Sequence, residues 1–295
     1  MTWIDIEAPT RDEIASVMEE YNLPAPLKED LLNDGIRSKV DRYQNVIYLV
    51  LHFPTILHHG KNHRTEVEVD FIIGKDFMIT SHYQTVNGLH EFAKKFEVTT
   101  LLERDLVATH AGFLFYYAIR ELYHHALSEL DIIDRDLIET EKSIFADREE
   151  KMVRHISALN RKLLDFRQAI RFHHDVLTSF EKVGEEFFGK DFSYYLSAIV
   201  GEFSKVRTLY ENHKEMLVDL RETNDSLLTS KTNDTMKTLT TMNFIVLPAA
   251  LISWIFSMNS SFPLIQDVTE FYLVIGAMIL IGVLMFIYFK KRKWL

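Results

Sequence analysis

The hydrophobic positions of the first 105 residues recur mostly with the two-residue period of strands, around one helical pattern. Thr10, with Glu13 three residues later, predicts a helix start with a capping box. A turn at Gly74 joins the last two strand candidates. Residues 1–105 are therefore predicted to form an α/β sheet domain. The predicted strands are Trp3–Ile6, Val46–Phe53, Glu66–Gly74 and Phe77–His82.

Beyond residue 105 the apolar positions recur every three or four residues, which predicts long packed helices over 106–235. The predicted helices are Leu106–Phe145, Asp147–Phe180 and a third that starts near Phe192. Gly184–Lys190 is the clearest break between them. The third helix can continue without interruption to Asn259, a rod of roughly 100 Å at 1.5 Å per residue.

Two uncharged segments end the chain. Phe271–Phe289 has 19 residues, enough for a helix to cross about 30 Å of hydrocarbon. Met242–Phe256 is also uncharged and reaches that length when it is extended to 238–259. Pro248 costs an isolated helix about 3 kcal/mol, but neighbouring helices satisfy the freed carbonyl in membranes. Two transmembrane helices, 238–259 and 271–289, are predicted, with the loop 260–270 between them.

Basic residues set the predicted orientation. Four of them follow the second span, in the tail 290–295, and Lys231 and Lys237 precede the first span, whereas 260–270 has neither Lys nor Arg. The positive-inside rule then places both termini in the cytoplasm and the loop outside. The start of the chain lacks the basic and apolar regions of a cleavable signal. We therefore expect a multi-pass protein of the plasma or inner membrane, α+β in class, with a cytoplasmic α/β domain and long helices.

A polar stripe follows one face of the first span. Two rows of residues at seven-residue spacing, four residues apart, form this face. Polar groups are costly against lipid, so the stripe is expected to face other helices or water. Hydrogen bonds across a helix interface remain one interpretation, and a pore lined by several copies is the other. The rows are Asn233, Thr240, Leu247 and Trp254, and Met236, Asn243, Ala250 and Ser257.

In a pore, each stripe residue would become a ring. Amides at Asn233 and Asn243 could face hydrated cations, and Met236 and Leu247 could form dewetting constrictions. Neither span carries a charged side chain. Transport would therefore use amide and hydroxyl oxygens and water, which suits Mg2+ because it gives up its water reluctantly.

Composition excludes other classes of function. A formal net charge of -10 argues against nucleic-acid binding, and the absence of cysteine excludes thiolate metal sites. Enzyme motifs such as a phosphate-binding loop or a nucleophile elbow are missing, so no catalytic activity is expected. The histidine groups lack a well-spaced further ligand and are read as surface or hydrogen-bonded residues. They are His58, His59 and His63, then His124 and His125, then His173 and His174.

Several short motifs resemble the CorA-type magnesium channels. The segment from Asn233 to Leu239, then Leu247-Pro248, Ser257-Met258-Asn259 and the basic end of the chain match that family in order. Trp3–Thr10 and Val69–His82 are similar to its cytoplasmic domain. The resemblance implies a homopentamer with a cytoplasmic funnel of sheet and helices. Its first spans would line a central pore in the lipid bilayer.

The resemblance also implies a selectivity site at the outer pore mouth, where the family has Gly-Met-Asn. Met258 and Asn259 match, and Asn259 would bind hydrated Mg2+, with Asn233 as a further metal contact. Ser257 replaces the glycine and lacks its freedom at positive φ. Trp254 also departs from the small residue common in the family. It can be an anchor at the lipid interface or a bulky constriction.

The family also senses intracellular Mg2+ through carboxylates, so Mg2+ is an implied regulator as well as the transported ion. Aligned without gaps, the matching positions here are Ala198 and Gly201, neither of them acidic. Three functions stay open. The favoured one is potential-driven influx of hydrated Mg2+, with Co2+ and Ni2+ as further ions. The alternatives are a proton-coupled Zn2+ transporter of the same superfamily and a non-conducting membrane scaffold or sensor.

Overall fold

The computed structural model describes residues 1–55, 65–102, 110–257, 268–292 and 294. The chain forms two compact units, Met1–Arg221 (unit 1) and Glu222–Leu295 (unit 2). All strands of the described residues lie in unit 1. The two apolar segments near the end of the chain lie in unit 2.

Unit 1 contains a five-stranded sheet with the order β1-β5-β4-β3-β2. β1 is parallel to β5, and the other neighbouring strands are antiparallel. The predicted strands are present, and the sequence pattern missed only the four-residue edge strand β2. The bounds are β1 Thr2–Glu7, β2 Lys39–Arg42, β3 Ile47–Pro54, β4 Glu66–Ile73 and β5 Phe77–His82.

Three helices accompany the sheet: α1 Arg11–Glu20, α2 Leu27–Leu32 and α3 Asn87–Leu102. The predicted capping box is confirmed. The Glu13 amide donates to the Thr10 hydroxyl over 3.3 Å, and the Thr10 amide donates to the Glu13 carboxylate over 2.9 Å. α1 and α2 pack with β3, β4 and β5 in an apolar cluster that includes Ile14, Leu27 and Ile72.

Three longer helices follow: α4 Gly112–Ile144, α5 Glu149–Ile170 and α6 His173–Phe188. The start predicted at Leu106 lies outside the described residues. The prediction of a single helix over Asp147–Phe180 is wrong, because α5 ends at Ile170 and a separate helix, α6, begins at His173. Gly184 lies inside α6. The chain turns at Gly189, within the predicted break Gly184–Lys190, and its φ of 99° is readily adopted only by glycine.

The break between α5 and α6 coincides with the docking of His173 onto β3. His173 is fully buried. Its Nε2 donates to the His52 carbonyl over 2.8 Å, and its Nδ1 accepts from the Tyr123 hydroxyl over 2.9 Å. A carbonyl oxygen can only accept, so the proton lies on Nε2. Burial lowers the pKa of His173 to about 3, so the ring is neutral in the folded protein.

The remaining helices are α7 Ser193–Ser257 and α8 Val268–Lys291, and a 3-10 turn at Lys190–Phe192 precedes α7. Both α7 and α8 are long and apolar enough to cross a membrane. In the apolar 18-residue stretch of each helix, only 6% is buried. A core helix of this composition would be mostly buried. The observed sheet, long helices and two apolar C-terminal helices confirm the predicted α+β class.

Replacing His173 with Asn is expected to destabilise unit 1 and to weaken its response to acid. The neutral ring stabilises the fold fully above about pH 6.5. That stability is lost as the pH falls from about 6.5 towards about 3, because the unfolded chain binds the proton more readily. At neutral pH the lost hydrogen bonding should cost about 1–3 kcal/mol. The measurement is the apparent midpoint of thermal unfolding of the full chain in detergent at pH 7.5 and 5.0.

His174→Asn is the matched control, because the His174 ring is exposed and its Nδ1 lies 3.3 Å from the Asp175 carboxylate. The control should unfold like the unmodified chain at both pH values. An equal fall in midpoint between pH 7.5 and 5.0 for His173→Asn and the unmodified chain would contradict the assignment.

Candidate ion pathway

The residues of the predicted stripe lie on one face of the C-terminal half of α7. This face is open in the single chain. Met236 is 57% exposed and Leu247 53%, values far above those of the protein core. Trp254, on the same face, is 68% exposed. Among the stripe residues, Asn233, Met236, Thr240, Asn243, Leu247 and Trp254 are exposed, and Ala250 is half-buried.

The opposite face of the same helix segment is covered. Thr241 is completely buried, and Ile245, Pro248 and Ile252 are half-buried at the spacing of one helical face. Beside this face the ring of Phe244 stacks on Phe289 of α8, with 6.3 Å between the centroids. The sequence pattern did not identify this contact, because apolar residues surround both helices and periodicity alone cannot select the face that meets a neighbour.

Several hydroxyl groups in the C-terminal half of α7 form hydrogen bonds within the helix itself. The Thr240 hydroxyl donates to the Met236 carbonyl over 2.7 Å, and the Thr241 hydroxyl donates to the Lys237 carbonyl over 2.8 Å. The donor is therefore used, while the hydroxyl oxygen can still accept from a water molecule. The same contact to the carbonyl four residues earlier is made by Thr229, Thr232, Thr235, Thr238 and Ser253.

The amides of the stripe differ from its hydroxyls. Within the described residues, neither Asn233 nor Asn243 has a hydrogen-bond partner, and both side chains are exposed. Each can offer an amide oxygen to a cation or its water and an amide nitrogen to another copy of the chain. No charged side chain lies between Thr238 and Ile255. This face can therefore contact water or an ion without burying a protein charge.

The outer end of the candidate pathway is described only in part. Ser257 is the last residue of α7. Met258, Asn259 and the loop that follows lie outside the described residues. Their role at a pore mouth stays a prediction.

The positions aligned with the family's sensing carboxylates lie in the first half of α7. Ala198 is half-buried, and a Cβ added to Gly201 would meet nothing within 4 Å. Glu202, the nearest acidic residue, pairs with Lys205 at 2.9 Å. In the described residues this segment therefore has no carboxylate at the predicted register.

The histidine groups do not form a metal centre in the part of the chain that the structure describes, where no three His, Asp or Glu side chains converge on one point. His173 is a buried structural residue, and His174 and His124 are exposed. His58, His59 and His63 lie outside the described residues.

The chain is similar over its whole length to proteins named for cobalt and magnesium transport. The chain is 26% identical over 298 residues to the cobalt/magnesium transport protein CorA of Thermotoga maritima, covering 100% of this chain and 83% of that protein. It is 20% identical to the protein of the same name from Methanocaldococcus jannaschii, covering 100% and 92% of the two chains.

The fold agrees with a solved structure as well. The complete structure of the CorA magnesium transporter from M. jannaschii superimposes with a TM-score of 0.85 at 19% identity, over 99% of this chain and 91% of that chain. The sequence profile described as "CorA-like Mg2+ transporter protein" matches residues 1–291. The open stripe, the two apolar helices and this match lead to one conclusion: the chain belongs to the family of CorA-like Mg2+ transporter proteins.

Proposed function

We propose that five copies of the chain form a channel for the influx of hydrated Mg2+, with Co2+ and Ni2+ as further ions. The observation that carries this proposal is the exposed face of α7, which continues beyond Thr238 through an uncharged segment. This face bears the amides of Asn233 and Asn243, neither of which has a hydrogen-bond partner among the described residues. Turning this face towards a shared axis would remove its polar groups from lipid. The relatives named for magnesium and cobalt transport support the choice of ion.

The chemistry of the stripe suits an ion that keeps its water. Mg2+ demands near-ideal octahedral geometry and dehydrates reluctantly. Rings of amide and hydroxyl oxygens from Asn233, Thr240 and Asn243 would hydrogen-bond to the hydration shell without replacing it. Met236 and Leu247 would narrow the path between these polar rings and, when closely packed, exclude water. Ala250 would leave room nearer the mouth.

The outer mouth is assigned to Ser257, Met258 and Asn259. The Asn259 amide oxygens would form the ring that first binds the hydrated ion. The assembly would place residues 1–105 and 106–235 in the cytoplasm, spans 238–259 and 271–289 in the bilayer, 260–270 outside and 290–295 in the cytoplasm. The basic residues flanking the spans support this orientation.

The membrane potential supplies the driving force in this proposal. Moving one elementary charge across 100 mV is worth about 2.3 kcal/mol, and a divalent ion gains twice that amount. An inside-negative potential would therefore pull Mg2+ towards the cytoplasm without a second coupled ion. In this proposal Mg2+ is the transported substrate. It would also regulate the channel.

Asn259→Ala is expected to abolish Mg2+ influx, because the amide oxygens that receive the hydrated ion are removed. The measurement uses the full chain in liposomes that contain a Mg2+-sensitive dye, with an inside-negative K+ diffusion potential. Influx into liposomes with the unmodified protein should increase with the potential. Asn212→Ala, an exposed asparagine of α7 in unit 1, is the matched control and should conduct normally.

The same assay separates the alternatives. Unchanged Mg2+ influx in Asn259→Ala would refute the assigned mouth. Zn2+ flux that requires a pH gradient, without Mg2+ flux, would support the proton-coupled transporter. No divalent flux from well-folded protein would support the scaffold or sensor.

A second prediction uses the absence of cysteine in the chain. Asn243→Cys should react with a small, membrane-impermeant thiol reagent about tenfold or more faster than Val246→Cys, because a thiol in water forms the reactive thiolate. Val246 is also exposed in the single chain, at 61%, but lies off the stripe. Ile245→Cys, on the covered face, should react slowly as well. The measurement is the rate of mass increase of each variant in liposomes.

Equal rates at positions 243 and 246 would show that the stripe faces the same environment as the rest of the helix. The pore assignment would then fail, whatever the flux assay had shown.

A further inference from the structure

A pocket of about 320 Å³ lies in unit 1, where the junction of α5 and α6 meets the first third of α7. Three arginines line it: Arg167, Arg171 and Arg207. The chain as a whole has a formal net charge of -10. The pocket therefore concentrates positive charge in a protein that is acidic overall.

Two of these arginines are neighbours at the end of α5. Arg167 lies in its last turn, and Arg171 follows four residues later, directly after Ile170. Like charges four residues apart on a helix repel each other. The negative end of the α5 dipole favours basic residues and accounts in part for this pair. It does not account for Arg207, which lies in the interior of α7 and brings a third positive charge to the same pocket.

The pocket also contains two acidic residues, which have other partners close by. The Asp175 carboxylate lies 3.3 Å from His174 Nδ1, and the Glu211 carboxylate lies 4.0 Å from Lys214 Nζ. The Arg171 guanidinium lies over the ring of Phe172, 4.4 Å from its centroid. A guanidinium that stacks in this way keeps the N–H groups at its edge available to an oxyanion.

A buried tyrosine adds a hydroxyl group to the pocket. Tyr210 is only 3% exposed, and its ring stacks on Phe166 with 6.0 Å between the centroids and 7° between the planes. The hydroxyl has no hydrogen-bond partner among the described residues. Unlike the sealed Ser81 hydroxyl, it remains accessible, so it opens onto the pocket that Tyr210 lines.

The charges around the pocket act on this hydroxyl. Burial raises the pKa of Tyr210, Arg167 lowers it and Glu211 raises it again, with a net rise. The hydroxyl is therefore protonated at neutral pH and can donate a hydrogen bond to an anion. Its stacked ring holds the donor in position.

The first turn of α6 lies at the same pocket. α6 begins at His173, and no side chain caps it at Phe172. The first N–H groups of a helix lack partners within the helix and carry partial positive charge, which favours anions. His174 and Asp175 of this turn line the pocket. Asp175 offsets part of this effect, so the arginines and Tyr210 remain the main donors.

We propose that this pocket binds a phosphate group through Arg167, Arg171 and Arg207, with the Tyr210 hydroxyl as a further donor. The planar fork of arginine matches the oxygen atoms of phosphate and can bind two of them at once. A volume of about 320 Å³ lies at the lower end of the range for ligand pockets, which suits inorganic phosphate or a small phosphate ester.

The test is isothermal titration calorimetry of the full chain in detergent, with EDTA present and ionic strength held constant. Inorganic phosphate and glycerol 3-phosphate are the two probes, and the tighter one distinguishes a free ion from an ester. Arg207→Gln should weaken binding about tenfold, because a charge-assisted hydrogen bond is lost. Arg161→Gln, an exposed residue of α5 outside the pocket, is the matched control and should bind normally.

Tyr210→Phe tests the pocket with a smaller change. Phenylalanine keeps the stacking on Phe166 and removes only the hydroxyl, so binding should weaken about threefold. This variant decides the question if Arg207→Gln unfolds at a lower temperature than the unmodified chain.

Three results would overturn the proposal. The first is no saturable binding of either probe by the unmodified chain. The second is an affinity in Arg207→Gln or Tyr210→Phe equal to that of the unmodified chain. The third is equal weakening in Arg161→Gln and Arg207→Gln, since binding would then follow overall charge. EDTA removes divalent cations, so the outcome is independent of whether the channel conducts.

Discussion

In hydrocarbon there is no water to form hydrogen bonds with the backbone. The N–H and C=O groups of a spanning segment must therefore form their hydrogen bonds within the protein. α7 meets this requirement in its 65-residue run, and several of its hydroxyls also bond within the helix. Because the backbone bonds are made within the helix, the side chains of α7 can differ along its length and suit different environments. In unit 1 the helix buries Leu196, Phe203 and Tyr210 in an apolar core. In unit 2 the same helix covers one face with Thr241 and leaves the stripe open.

The sequence predicted the sheet and α1 well because alternation and a capping box are local signals. It missed α2, β2 and α3. α2 and β2 have six and four residues, too few to display a period. The single helix predicted over Asp147–Phe180 was wrong for a different reason. No glycine or proline marks the break, which coincides with long-range contacts of His173 with Tyr123 and His52. Such contacts join residues 50 and 121 positions apart and leave no local pattern.

The candidate site was predictable to a similar extent. Seven-residue spacing predicted the stripe, and its described side chains are exposed except for the half-buried Ala250. The same spacing could not reveal that Phe244 meets Phe289, since aromatic and aliphatic residues surround both helices. The alternating acids in β4 are visible in the sequence, but only the structure shows that Glu68 pairs with His52 across the strands and accepts from the Gly35 amide. The pairing of residues across strands depends on the fold and cannot be read from the sequence of β4 alone.

The threonines of α7 have a mechanical consequence. Thr229, Thr232, Thr235 and Thr238 each share the carbonyl four residues earlier with the backbone amide that the helix already pairs to it. Such bonds slightly weaken a helix and often bend it. Ten residues after Thr238, Pro248 lacks the backbone N–H that would donate in the helix. The stretch from Thr229 to Pro248 therefore has a lower bending stiffness than the turns of α7 before it, and bending of α7 would concentrate there.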